Sequence, residues 1–212
     1  MDILTDLKES LQAGDDERVS VLTTEAVQQM IPSKRILDEG LIAGMNAVGD
    51  LFRDHEIFLP DVLLAAKAMY AGIEILKPLL LADKVESPGR VVIGSVRGDL
   101  HDIGKNLVGI MLKGAGLDVI DLGNDVTAER FVEAAVNEGA AVIGMSALLT
   151  TTMPVMKQVV DILAARGLQG RIKTIVGGAP LSQSYAREIG ADEYGYDAGN
   201  AVDRVKALLG MR

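Results

Sequence analysis

Two textures divide the chain. Over the first 88 positions apolar residues recur at steps of three and four, with breaks at Gly14-Asp15, Pro32-Ser33 and Pro60. That period is the mark of amphipathic helices, and it predicts four of them, at about 2–13, 15–30, 33–53 and 60–81. In the fourth, Val62, Ala66, Met69, Ile73, Leu76 and Leu80 alternate steps of four and three, the seam of a bundle helix. Pro60 suits a first helical turn, where a missing N–H costs nothing.

The period changes after Lys84-Val85-Glu86-Ser87-Pro88-Gly89, a polar segment with Pro and Gly that reads as a linker over 84–89. Beyond it, short apolar runs alternate with helix-length segments. Strands are expected at Arg90 to Ser95, Leu117 to Leu122, Ala140 to Ser146 and Ile172 to Val176, with a weaker fifth near Asp192 to Tyr194. Helices are expected at 103–115, 127–138, 153–166, 182–189 and 198–209. Continuous apolar strands between helices mean a parallel sheet covered on both faces. The expected fold is therefore α/β: a helical bundle cap over 1–83, then a doubly wound, flavodoxin-type five-stranded sheet over 90–212. The order 2-1-3-4-5 opens a crevice between strands one and three. Ligand contacts are expected on the loops at Ser95 to Gly104, Ser146 to Thr152 and Gly177 to Pro180.

Composition narrows the chemistry. The 212 residues include no cysteine, which removes disulfides, thiolate metal sites and thiol nucleophiles. A net charge of −9 without a cluster of Lys and Arg argues against nucleic acid and anionic membrane, and 3% aromatics with no Trp supply few stacking platforms. No apolar run approaches the roughly 18 to 20 residues needed to cross a bilayer, and the acidic amphipathic start is unlike a leader, so a cytoplasmic protein is expected.

The crevice loops hold the unusual residues. The first reads Gly98-Asp99-Leu100-His101-Asp102-Ile103-Gly104-Lys105-Asn106. A metal-binding imidazole needs its second nitrogen held by an acceptor, and Asp99, two positions back in extended chain, points to the same side as His101. Ser146, across the crevice, could donate to Asp99. Asp102 reads as a helix cap. Gly177-Gly178 serves as a strand-to-helix turn or as bare backbone for a flat ligand. The glycines at 94, 98 and 104 do not make the dinucleotide pattern G-x-G-x-x-G, which counts against a dinucleotide or flavin binder.

Asp99-x-His101-x-x-Gly104, then Ser146-x-Leu148, then Gly177-Gly178 resembles the signature of the cobalamin-binding domains of methionine synthase and corrinoid methyl-carrier proteins. Gly44-Met45-Asn46-Ala47-Val48-Gly49-Asp50-Leu51-Phe52 and Phe58-Leu59-Pro60-Asp61-Val62 look like cap segments of the same proteins, so the resemblance covers roughly residues 30 to 200. It implies cobalamin or a related corrinoid as cofactor, with methylcobalamin as the loaded state. The cofactor's own base would leave the cobalt, His101 would replace it, Asp99 would hold the ring and Ser146 would support that network. Leu100, Asp102, Ile103 and Gly104 would belong to the contact loop. Leu148 and Thr150 would line the corrin edge or the tail cleft, and Gly177 and Gly178 would make room for the nucleotide tail. Phe52 and Leu59 would shield the upper, methyl-bearing face, or be ordinary bundle core. Met45 and Met69 read as core, and His55 as a solvated loop residue.

By resemblance, such a carrier takes methyl on cobalt(I) and gives it up from methyl-cobalt(III), with the 84–89 segment as hinge. No substrate module is expected in the chain. Its partners would be cognate methyltransferases for the methyl donor and the acceptor, tetrahydrofolate or coenzyme M, and a reductive activase. A mutase-type cobalamin subunit or a cobalamin-dependent regulator is the alternative. The first typically lacks a helical cap, and the second needs a DNA-binding module.

Overall fold

The computed structural model describes residues 2–83 and 87–211. The chain forms two compact units, a helical one reaching to Ser87 and taking in Gly114–Gly116, and an α/β one from Pro88 onward. The expected linker at 84–89 includes 84–86, which lie outside the described residues.

The helical unit comprises α1 (Ile3–Gln12), α2 (Asp16–Gln28), α3 (Ser33–Arg35), a π-helical stretch (Ile36–Ile42), α4 (Ala43–Arg53) and α5 (Leu59–Ala82). Leu4, Leu7 and Leu11 of α1 are buried, as are Val19, Leu22 and Ala26 of α2, so each helix presents one apolar stripe. The third expected helix is continuous in path but not in winding. At its π-helical end the Ala43 N–H donates to the Asp38 carbonyl, five residues back. Gly40 sits within this stretch, where a Cβ would meet Leu7 Cδ2 at 2.6 Å. Apolar spacing reports which side is buried, not whether a turn is one residue wider, so the sequence is silent on this. Leu59–Ala82 starts as expected with Pro60 in its first turn, and the Phe58 N–H donates to Asp61 Oδ2 at 2.9 Å.

The α/β unit alternates β1 (Arg90–Ser95), α6 (Ile103–Gly114), β2 (Asp118–Asp121), α7 (Ala128–Glu138), β3 (Val142–Ser146), α8 (Pro154–Ala165), β4 (Lys173–Gly177), α9 (Gln183–Ile189), β5 (Glu193–Gly195) and α10 (Ala198–Leu208). The five strands lie in the order β2-β1-β3-β4-β5, all neighbours parallel. From Val91 to Ser95 every residue of β1 is buried, as a sheet covered on both faces requires. Phe131, Ile143, Met156 and Leu163 are among the largest fully buried side chains of this core. Asp197 caps α10 by accepting from the Asn200 N–H at 2.7 Å, and α7 ends on Gly139 in the left-handed conformation. Ser95 of β1 pairs with Ser146 of β3, and Ser146 with Gly177 of β4. The loops after these strands leave the sheet at its carboxyl end, and the strand order reverses between β1 and β3.

Candidate functional site

β1 ends at the buried Ser95, whose Oγ–H donates to the His101 carbonyl at 2.6 Å and closes the loop between strand and helix. Within that loop Gly98 takes φ +82°, and Asp99 N–H returns to the Val96 carbonyl at 3.0 Å. The turn drives the Asp99 side chain inward until it is 0% exposed.

A buried carboxylate must be fully hydrogen-bonded to be tolerated. Asp99 Oδ1 accepts from the His101 N–H at 3.1 Å and lies 2.8 Å from His101 Nδ1. Its Oδ2 accepts from the Leu148 N–H at 2.7 Å, the Leu149 N–H at 3.2 Å and the Thr152 hydroxyl at 3.0 Å. Burial pushes the Asp99 carboxyl up. The hydrogen bonds from Leu148, from the His101 ring and N–H, and from Thr152 outweigh it and hold the group well below the usual carboxylate range. Asp99 is therefore ionised at neutral pH and acts only as an acceptor, which places the imidazole proton on Nδ1 and leaves the Nε2 lone pair outward. The His101 side chain is 53% exposed, and among the described residues its ring has no second hydrogen-bond partner.

The hydroxyl that reaches Asp99 belongs to Thr152, not to Ser146 as the sequence suggested. Ser146 contributes its carbonyl, which accepts from the Val96 N–H at 3.0 Å. Strand direction explains the substitution: Ser146 is still in the β3 ladder, whereas the chain after it folds back over Asp99 and brings Leu148, Leu149 and Thr152 to one oxygen. Thr152 also lies 2.8 Å from the Leu149 carbonyl; of the two acceptors the charged carboxylate is the stronger. The signal in the sequence was the run Thr150-Thr151-Thr152 ahead of Pro154, which offers three hydroxyls without ranking them.

Exposed apolar side chains flank His101 along the chain, Leu100 at 72% and Ile103 at 74% exposure, and the exposed Leu148 and Leu149 join the site through their N–H bonds to Asp99. Gly104, near the start of α6, is exposed, and a Cβ there would meet nothing within 4 Å. Thr150 is exposed as well. Asp102 does not cap α6 with its side chain; its carbonyl accepts from the Asn106 N–H at 2.7 Å. Gly177 is the last residue of β4, one position beyond the expected strand end, while Gly178 has φ +132°, and a Cβ there would lie 1.9 Å from the Ala147 carbonyl oxygen. The fold itself demands that glycine. In the helical unit Phe52 and Leu59 are partly buried, Met45 and Met69 lie in the core, and His55 is exposed with φ 60°. A further element escaped the sequence reading: Lys105, with its side chain 3% exposed, donates to both oxygens of Asp121 at the end of β2, at 2.6 and 2.5 Å.

The chain matches a B12 binding domain over residues 89–206 and a second B12 binding domain over residues 3–77. A corrinoid protein of Desulfitobacterium hafniense is 42% identical, covering 99% of both chains. The chain belongs to the B12-binding corrinoid proteins. Another relative within this family is a trimethylamine corrinoid protein of Methanosarcina mazei, 42% identical over 98% of this chain and 97% of its own. Among solved structures, the methanol:cobalamin methyltransferase complex from Methanosarcina barkeri aligns with a TM-score of 0.89 at 32% identity, covering 98% of this chain and 80% of that one.

The residues of this corrinoid protein fit the cofactor that its family name implies. The His101 ring, held at Nδ1 by Asp99 and half exposed, offers one nitrogen donor to a metal whose other ligands the cofactor would bring. A rim of exposed Leu and Ile suits a large macrocycle, and the open space at Gly104 is left unfilled by the protein's own packing. No helix among the described residues is long and apolar enough to cross a membrane.

Proposed function

We propose that the chain is a methyl carrier in which His101 would hold the corrinoid as a ligand to its cobalt. It serves two partners in turn, a methyltransferase that loads methyl from a methylated amine or methanol and one that passes it to tetrahydrofolate or coenzyme M. The observation that carries this reading is the His101 ring, tied at Nδ1 to an ionised, buried carboxylate and free at Nε2. The names of the relatives, a trimethylamine corrinoid protein and a methanol:cobalamin methyltransferase complex, support the substrate class. When bound, the cobalt supplies the centre that accepts and releases the methyl group.

The protein's own residues orient and tune. Asp99 fixes the tautomer and orientation of the ring, and the Leu148, Leu149 and Thr152 donors keep Asp99 ionised while it does so. Leu100, Ile103 and Leu148 give the macrocycle an apolar rest. Thr150, Ser146, Gly177 and Gly178 are assigned to its edge and tail, and Phe52 and Leu59 of the helical unit to its methyl-bearing side. A reductive activase completes the set of partners, because a carrier oxidised by accident needs an electron source.

The test is a visible spectrum of the purified protein after incubation with hydroxocobalamin. The expected result is a coloured protein whose bands show the cofactor's own base replaced by an imidazole, and whose bands change in His101→Ala. A protein that stays colourless, or a His101→Ala spectrum identical to wild type, overturns the ligand assignment. Methylation of the loaded protein by a cognate methyltransferase with methylamines or methanol tests the carrier role.

A further inference from the structure

Among the described residues of the α/β unit, Asp125 is the one non-glycine residue in the left-handed region, with φ 56°. It lies in the turn between β2 and α7 and is exposed, so core packing does not force that conformation. Asp tolerates it better than most side chains, but glycine would adopt it freely. A charged residue kept at such a position points to a task for its side chain.

The task is visible in three hydrogen bonds. Asp125 Oδ1 accepts from the Gly98 N–H at 2.7 Å, and the Asp125 N–H donates to the Asp99 carbonyl at 3.2 Å. The neighbouring Asn124 Nδ2 donates to the Leu100 carbonyl at 3.2 Å. Residues 98, 99 and 100 are therefore each tied to one short turn more than twenty positions away, and the next residue is His101. The Val96–Val126 bridge and the Ser95 N–H to Gly123 carbonyl bond, at 2.9 Å, anchor the base of the same turn. The left-handed step at Asp125 aims its N–H and its carboxylate at the same stretch of backbone, a pairing that neither glycine nor an extended residue would give.

We propose that Asp125, assisted by Asn124, is a positioning residue for the cobalt ligand: it fixes the 98–100 backbone so that Asp99 turns inward and His101 emerges with Nδ1 already on the carboxylate. The inference rests on the assignment of His101 as ligand, and it makes the site preorganised before the corrinoid arrives.

Asp125→Gly and Asp125→Asn separate this role from that of a mere turn residue. Glycine relieves the backbone but removes the acceptor; asparagine tolerates the left-handed conformation and keeps an acceptor oxygen. In the cofactor-free protein, nitrogen chemical shifts of the His101 ring and hydrogen exchange of the Gly98 amide are read by NMR at fixed pH. In the loaded protein, hydroxocobalamin affinity and the visible spectrum are read. Asp125→Gly is expected to mix the His101 tautomers, to speed Gly98 exchange and to weaken hydroxocobalamin binding about tenfold, the scale of residues that orient a metal ligand. Asp125→Asn is expected to restore all three. Glycine behaving as wild type, or asparagine failing to rescue, overturns the proposal. Should Asp125→Gly not fold, Asn124→Ala decides by the same readouts, an unchanged ring and affinity counting against the role. A wild type without imidazole bands defeats the ligand assignment instead, and the cofactor-free NMR arm still decides whether Asp125 orders the loop.

Discussion

Asp99 Oδ1 grips His101 twice, by the ring at Nδ1, 2.8 Å away, and by the backbone N–H at 3.1 Å. With both bonds ending on one oxygen, the ring cannot leave the carboxylate by a rotamer change alone without abandoning the shorter of them, and the backbone cannot shift without dragging the ring. The carboxylate is in turn fixed through Oδ2 to Leu148, Leu149 and Thr152. The position of the imidazole is thus decided by a loop more than forty residues further along the chain.

Replacing Asp99 by Asn turns one acceptor oxygen into a donor facing donors. The cofactor-free Asp99→Asn protein is expected to lose about 1–3 kcal/mol of stability at neutral pH, measured by urea unfolding. Because the Asp99 pKa is depressed on folding, the advantage of wild type is fully present above the unfolded carboxyl value of about 4 and declines as pH falls below it. A gap between the two proteins that widens toward acid would contradict the hydrogen-bond account.

Thr152→Val keeps the shape of a buried side chain and deletes the hydroxyl on Asp99. Expected is a loss of about 1–2 kcal/mol in cofactor-free stability and a visible spectrum of the loaded protein shifted from wild type. Thr152→Ser should restore both. Ser146→Ala, whose hydroxyl does not reach Asp99, is expected to do much less.

Most of this arrangement could be read from the residues. Strand order, the crevice loops and the Asp99 to His101 pairing follow from period and spacing, because a strand followed by an extended loop leaves few choices for where a side chain two positions away points. What escaped was set by tertiary closure. Thr152 rather than Ser146 meets Asp99 because of how the chain folds back after β3, and three adjacent threonines look alike in sequence. The π-helical turns at Ile36–Ile42 preserve the buried stripe and so leave no trace in the apolar pattern. Asp125 looks like any polar turn residue until its φ is known.

Lys105 and Asp121 form an ion pair of unequal burial, with the lysine side chain 3% and the aspartate 37% exposed. Removing either partner strands the other, and the cost depends on which is stranded. Asp121→Ala leaves an ammonium inside and is expected to destabilise by about 2–4 kcal/mol, whereas in Lys105→Met the carboxylate can turn to water and the cost should stay near about 1 kcal/mol. Chemical denaturation of both variants checks the asymmetry; equal losses would mean that the lysine finds another partner.

The glycines on the crevice loops do two different jobs, and alanine substitution tells them apart. At Gly178 the backbone stands at φ +132°, and a Cβ would be driven to 1.9 Å from the Ala147 carbonyl oxygen, a backbone atom that cannot turn aside. Gly178→Ala is expected to cost at least about 3 kcal/mol with or without cofactor, read as a lowered melting temperature of the cofactor-free protein. Gly104 sits in the first turn of α6, where an added Cβ meets nothing within 4 Å. There alanine favours the helix by up to about 1 kcal/mol, so Gly104→Ala should leave the cofactor-free protein as stable as wild type or slightly more so. If the space beside His101 belongs to the corrinoid, the same methyl group weakens hydroxocobalamin binding while stability holds. A Gly104→Ala protein that bound the cofactor as wild type does would place the macrocycle away from the start of α6.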